Sequence, residues 1–188
     1  LQRTVHDCRG IDHPEGWDNQ IPNELGVILD YQSGISSDVK KLSLPFIKSK
    51  IEMDVTGYGG LSLGNVYTHG LGGFMVRIGT DIKREFAAPS RIRPSMSGSD
   101  LHYGDGFDFT LYGGLEGRAV VWNSFLDGSM FQTSANVQSN TWVGDFVIGA
   151  IAYVDGFRIS YSHTFRGDEF KGSTGSNNFG SLTFSWRF

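Results

Sequence analysis

Phe107-Asp108-Phe109-Thr110-Leu111-Tyr112-Gly113-Gly114-Leu115-Glu116-Gly117-Arg118-Ala119-Val120-Val121 is the stretch that decides how the rest of the chain is read. Its odd positions are apolar or glycine, whereas Asp108, Thr110, Glu116 and Arg118 fall on even ones. A period of two sends successive side chains to opposite faces of a strand. The alternation lasts about fifteen residues, against about five or six in strands of soluble sheets. A tilted strand that crosses a bilayer accounts for the length.

Toward the C-terminus the pattern returns twice. Phe157, Ile159, Tyr161 and Phe165 alternate with Arg158, Ser160, Ser162 and Arg166, and His163 shares the apolar face. Leu182, Phe184, Trp186 and Phe188 then oppose Ser181, Thr183, Ser185 and Arg187. Toward the N-terminus, Ile51, Met53, Val55, Leu61 and Leu63 oppose Lys50, Glu52, Asp54, Thr56 and Ser62, and Leu25, Val27, Leu29 and Tyr31 make a further apolar row. Two more strands fit around 70–79 and 142–154, the second closed by Asp155-Gly156, a dipeptide that favours a tight hairpin. The sum is about seven strands, an odd number where single-chain bacterial barrels close with an even one, so further strands are expected outside this sequence.

Composition agrees and removes alternatives. The 188 residues carry a formal net charge of -4, which argues against a nucleic-acid partner because phosphate binding needs a concentrated basic face. No apolar run approaches the roughly 18 residues of a spanning helix. A mean hydropathy of -0.21 suits strands whose polar and apolar faces cancel. The single cysteine, Cys8, excludes an intrachain disulfide. Leu1-Gln2-Arg3 shows neither an initiator methionine nor a signal peptide, so either the chain is mature or something upstream is missing.

A soluble barrel with its apolar rows turned inward is the competing architecture. Charges decide between the two. Glu52, Asp54, Arg77, Asp108, Glu116, Arg118, Asp145, Arg158 and Arg166 all sit within strands, which is costly in a packed core but natural around a polar lumen. Trp122, Trp142, Tyr153, Phe157 and Trp186 fall near strand ends, where an interfacial aromatic girdle would lie. The expected fold is all-β, an antiparallel transmembrane barrel. Counting back from a last strand that runs to the periplasm puts residues before Glu24 and the loops 124–140 and 167–178 on the extracellular side, and the long connection 81–106 on the periplasmic side.

Leu1–Asp7 lacks strand alternation and would set Gln2 and His6 one turn apart if helical, with Asp12 and Glu15 following. A histidine with a nearby carboxylate is the minimal apparatus for activating water, since the imidazole titrates near neutrality and the acid can fix its tautomer. Alone, such a pair is more often two solvated loop residues.

Gly16-Trp17-Asp18-Asn19-Gln20, Asn23-Glu24, Gly64-Asn65-Val66-Tyr67-Thr68, Arg91-Ile92-Arg93-Pro94-Ser95 and the terminal aromatic supply the context. With Gln2 and His6, they make the chain resemble the lipid A 3'-O-deacylases over essentially its whole length. The resemblance implies an outer-membrane barrel of twelve strands. On that basis 1–188 is the C-terminal portion of one barrel domain, with an extracellular active-site loop at 1–23, barrel strands over 24–188, and N-terminal strands absent. It also implies calcium-dependent hydrolysis of the ester that holds the 3'-acyloxyacyl group of lipid A, in the outer leaflet, by chemistry similar to that of secreted phospholipase A2.

On this chain the base matches His6, its supporting acid Asp12, and the substrate-binding residue one turn before the base Gln2. The family's Asn-Asp pair and hydroxyl residue, needed for the metal, have no counterpart here, so the calcium ligands are unassigned. The implied partners are lipopolysaccharide and outer-membrane lipids. Trp17 and the amides of Asn19 and Gln20 also suit a loop anchored on the barrel rim. Arg91 and Arg93 suit either a lipid phosphate or, on the periplasmic side, a structural ion pair. A non-catalytic pore or scaffold and a truncated remnant are the alternative functions.

Overall fold

The computed structural model describes residues 21–42, 51–80, 82, 107–173 and 177–186. They form an open antiparallel sheet of eight strands: β1 (Ile28–Ser36), β2 (Lys40–Leu42), β3 (Ile51–Gly64), β4 (Tyr67–Gly79), β5 (Phe107–Asn123), β6 (Trp142–Val154), β7 (Phe157–Arg166) and β8 (Asn177–Trp186). The path runs β1-β3-β4-β5-β6-β7-β8, and β2 pairs with β3. A single helical turn, α1 (Ser124–Asp127), follows β5.

β2 accounts for the difference from the expected seven. It continues the line of β1 along β3: Ser36 lies opposite Thr56 and Lys40 opposite Met53, so one extra residue interrupts the edge. Ser37 bridges the gap, its backbone N–H donating to the Val55 carbonyl at 2.8 Å and its Oγ accepting from Val55 N at 3.0 Å. Elsewhere consecutive strands join as hairpins. The Asp155-Gly156 link between β6 and β7 has φ of 43° and 85°, the doubly left-handed turn expected of that dipeptide.

Burial decides which face meets which environment. The apolar row is exposed: Leu29 is 70%, Leu115 48% and Phe184 69% accessible. The charged row is buried, with Asp54 at 1%, Glu116 at 4% and Arg118 at 7%. A soluble protein would reverse this arrangement, because a contiguous apolar face in water and carboxylates inside are both unfavourable. The inversion fits hydrocarbon outside and polar groups within.

The buried face is not polar throughout. Met75, Tyr112 and Val147 form an apolar cluster with Ile151 packed against it. In the register of the sheet, Met75, Gly114 and Val147 occupy one row. That row separates Asp54 and Arg77 on one side from Glu116, Asp145 and Arg166 on the other. Tyrosine rings cover glycines: a Cβ on Gly73 would lie 2.8 Å from the Tyr58 ring, and one on Gly149 would collide with the Tyr112 ring.

Two rims result. One gathers 21–27, the Asn65-Val66 turn, the loop 124–141 and the loop 167–173. The other holds the end of β4 at Gly79, the start of β5 at Phe107 and the Asp155-Gly156 turn, while 81 and 83–106 lie outside the described residues. Leu115, the central residue of β5, faces outward. Replacing it by arginine should lower the unfolding free energy by about 2–4 kcal/mol if that face meets the bilayer midplane. Urea titration of the bilayer-embedded protein measures this, and an unchanged midpoint would remove lipid from that face.

Candidate functional site at the loop-rich rim

Alternation forces Tyr67, His69, Arg118, Asp145 and Arg166 onto the buried face of four adjacent strands, where their side chains reach one another across the ladder. Asp145 is the hub. Its side chain is fully buried, and both its oxygens accept from Arg118 Nη2 at 3.0 Å. Arg166 approaches from the other side as a fork, donating Nε to Oδ1 and Nη2 to Oδ2, each at 3.1 Å. Such bidentate, charge-assisted pairs fix geometry as well as supply energy.

The network extends both ways. Arg118 Nη1 donates to the Tyr67 hydroxyl at 3.2 Å, and the Tyr67 ring lies 4.3 Å from that of His69. Arg166 Nη1 donates to Glu169 of the loop 167–173 at 3.2 Å, and its guanidinium sits 5.1 Å from the Phe179 ring centroid of β8. One continuous set of contacts therefore joins β4 through β8 just inside the rim. Above it lies a cavity of about 330 Å³, walled by Ile28 and Asp30 of β1, by these polar groups, and by Phe125 and Leu126 of α1.

α1 is held over the cavity by reciprocal capping. Asn123 Oδ1 accepts from Phe125 N at 3.1 Å while Asp127 Oδ2 accepts from Asn123 N at 2.8 Å. Asp127 Oδ1 also accepts from Ser139 Oγ at 2.7 Å, which folds the loop back on itself.

The segment leading toward the N-terminus is fastened to the same rim. Asn65 Oδ1 accepts from Val27 N at 2.7 Å and its Nδ2 donates to the Leu25 carbonyl at 2.7 Å. Glu24 accepts from Ser129 Oγ at 2.6 Å, and that same Oγ accepts from Phe131 N and Gln132 N. The motif residues Asn65, Tyr67 and Glu24 thus acquire roles that spacing alone did not reveal. Trp122 departs from a purely interfacial role, since it is half-buried and its Nε1 donates to the Asn65 carbonyl at 3.0 Å. Trp142 and Trp186 are exposed, as a girdle requires.

His6, Asp12 and Gln2 lie outside the described residues, as do the 16–20 box, Arg91 and Arg93. Sequence reasoning missed the Asp145 hub, His69 and Ser129. In-strand charges marked Arg118, Asp145 and Arg166 as lumen-facing, but only register shows that they share one network.

The model of a protein family, outer membrane protein LpxR, matches residues 1–188. The chain belongs to this LpxR family of outer membrane proteins. Among solved structures it is similar to LpxR from Salmonella typhimurium, with a TM-score of 0.76 at 18% identity. That match covers 100% of this chain and 60% of the other, and at such identity it shows the fold. No curated protein matches the sequence. Outer-membrane location follows from LpxR family membership and agrees with the inverted burial.

Asp145→Asn would leave Arg118 and Arg166 without their shared counter-charge. Removing one partner of a buried pair costs about 3–5 kcal/mol. The urea midpoint of the membrane-inserted variant should fall accordingly, whereas a midpoint equal to wild type would show that the hub contributes nothing to stability.

Proposed function

We propose that this chain carries the histidine arm of a lipid A 3'-O-deacylase, a carboxylic ester hydrolase of the outer membrane whose loop-rich rim faces the outer leaflet. LpxR family membership over all 188 residues supports the reading. The observation that carries it is convergence on one rim: the family-like motif at 64–68, Glu24 and both long loops meet there, and the chain continues from Ile21 toward Asp12, His6 and Gln2 from that rim.

The proposed chemistry is ester hydrolysis by activated water. His6 takes a proton from water as the oxygen attacks the carbonyl carbon of the 3'-linked acyl group. The tetrahedral intermediate then collapses, the bond between that carbon and the sugar oxygen breaks, and the histidinium returns its proton to the departing sugar hydroxyl. Asp12 holds the imidazole in the tautomer that presents its free nitrogen to water, and Gln2 contacts the substrate. The products are the acyloxyacyl chain as a free carboxylic acid and lipid A with a free 3'-hydroxyl.

Calcium belongs to the proposal through the resemblance alone. Among the described residues there is no group of three or more His, Cys, Asp or Glu suited to a metal ion. Asp54 and Asp145 are each engaged by arginine, so neither is available as one of the six to eight oxygen ligands that calcium takes. No step above is routed through the metal.

Mass spectrometry of lipid A from cells expressing the protein tests the reading. Wild type should release the 3'-linked chains, and His6→Ala should reduce release by about 10²–10⁴-fold. Chelating calcium should abolish it. Lipid A unchanged by the wild-type protein would favour a pore or scaffold instead.

A further inference from the structure

The turn between β3 and β4 poses a question of residue choice. Asparagine in a hairpin turn is ordinarily explained by its tolerance of positive φ, yet Asp155 is the one non-glycine residue with positive φ among those described. Asn65 must be there for its side chain.

What that side chain does follows from the register. The β1–β3 ladder runs until Ile28 pairs with Gly64, after which β3 turns away. The preceding residues of the chain, Val27 and Leu25, would then lose their partners. Instead Asn65 N donates to the Val27 carbonyl at 3.2 Å, Val27 N donates to Asn65 Oδ1, and Asn65 Nδ2 donates to the Leu25 carbonyl. The carboxamide supplies one C=O and one N–H, as a peptide unit would. It stands in for the residue that a longer strand would have offered.

The neighbours fit around this contact. A Cβ on Gly64 would penetrate the Val27 carbonyl, and one on Gly26 would lie 2.8 Å from Val66 Cγ2. Gly64-Asn65-Val66 and Leu25-Gly26-Val27 are therefore complementary surfaces. The same turn is locked from behind, since Trp122 Nε1 donates to the Asn65 carbonyl and Ser124 N donates to the Val66 carbonyl at 2.9 Å. Segment 25–27 is thereby tied, through one turn, to β5 and α1.

We infer that Asn65 is a positioning residue: its carboxamide extends the β1 ladder to Leu25 and so sets how the chain toward His6 leaves the barrel rim. This rests on the function proposed above, because only then does the departing segment carry the base. On that function, a looser anchor at residues 25–27 lowers turnover more than substrate binding, since a base held less well costs rate before affinity.

Two readouts on the membrane-inserted full chain test it, with heat-modifiable gel mobility as the check that Asn65→Ala still folds. In the first, hydrogen exchange of the peptide covering 21–27 should accelerate about tenfold in Asn65→Ala. Asn65→Asp, which keeps the acceptor for Val27 N but loses the donor to Leu25, should fall between the two. In the second, kcat for release of 3'-linked chains should drop about tenfold or more with KM changed less than about twofold. Exchange at 21–27 equal to wild type would overturn the clamp itself. Faster exchange with unchanged kcat, in a protein that His6→Ala inactivates, would overturn the positioning role. Full activity in His6→Ala would instead remove the proposed base while leaving the exchange result to judge the clamp.

Discussion

Hydrocarbon offers a backbone no hydrogen-bond partner, and this single constraint organises everything described here. A membrane strand must satisfy its N–H and C=O groups on its neighbours, so pairing runs the length of each hairpin, interrupted only by local bulges such as the register shift at Thr68/His69. Continuous pairing fixes the register, and the register fixes which side chains share a row. Once the apolar row is committed to lipid, the opposite row has nowhere to go but inside, and its charges must neutralise one another there. The Asp54–Arg77 pair, with Arg77 Nε donating to Asp54 Oδ1 at 2.9 Å, and the Arg118–Asp145–Arg166 hub are consequences of that confinement.

Where the chain obeyed a period of two, the sequence was sufficient. β6 spans Trp142–Val154 and β7 begins at Phe157, as the alternation and the Asp155-Gly156 turn required. The face assignment held at Leu29, Leu115 and Phe184, whereas Ile51, read in the same row as Val55 and Leu61, is buried. Less legible was the break between β1 and β2, since a one-residue bulge bridged by Ser37 leaves no hydrophobic signature. The apolar belt of Met75, Tyr112 and Val147 also escaped, because these residues lie in the row that charges had marked as polar. Periodicity reports which face a residue occupies, not who stands opposite it.

Candidate machinery was legible in a different way. A resemblance in separated motifs pointed to the N-terminal segment, whereas physical chemistry alone saw only a histidine near carboxylates. The structure adds what motifs lack, namely a use for the residues between them. Glu24 binds Ser129, Tyr67 receives Arg118, and Asn65 holds Leu25 and Val27, so residues conspicuous as a pattern turn out to be fastenings of the rim. No spacing rule could have linked Asn65 to residues some forty positions earlier, because that contact depends on β1 returning beside β3.

Long loops ordinarily make poor platforms for chemistry, since they sample many conformations and a small misplacement of a base is expensive in rate. The rim described here resolves that tension by borrowing order from the sheet. Its shortest connection, Asn65-Val66, is the end of a hairpin that carries strands of 14 and 13 residues. Both the departing segment and α1 are bonded to that one turn, and α1 is capped against β5 while Arg166 and Glu169 draw the last loop toward the same network. Segments distant in sequence are thus referred to a common fixed point. The order of that surface then comes from the barrel's own ladder, which the bilayer obliges the protein to keep intact.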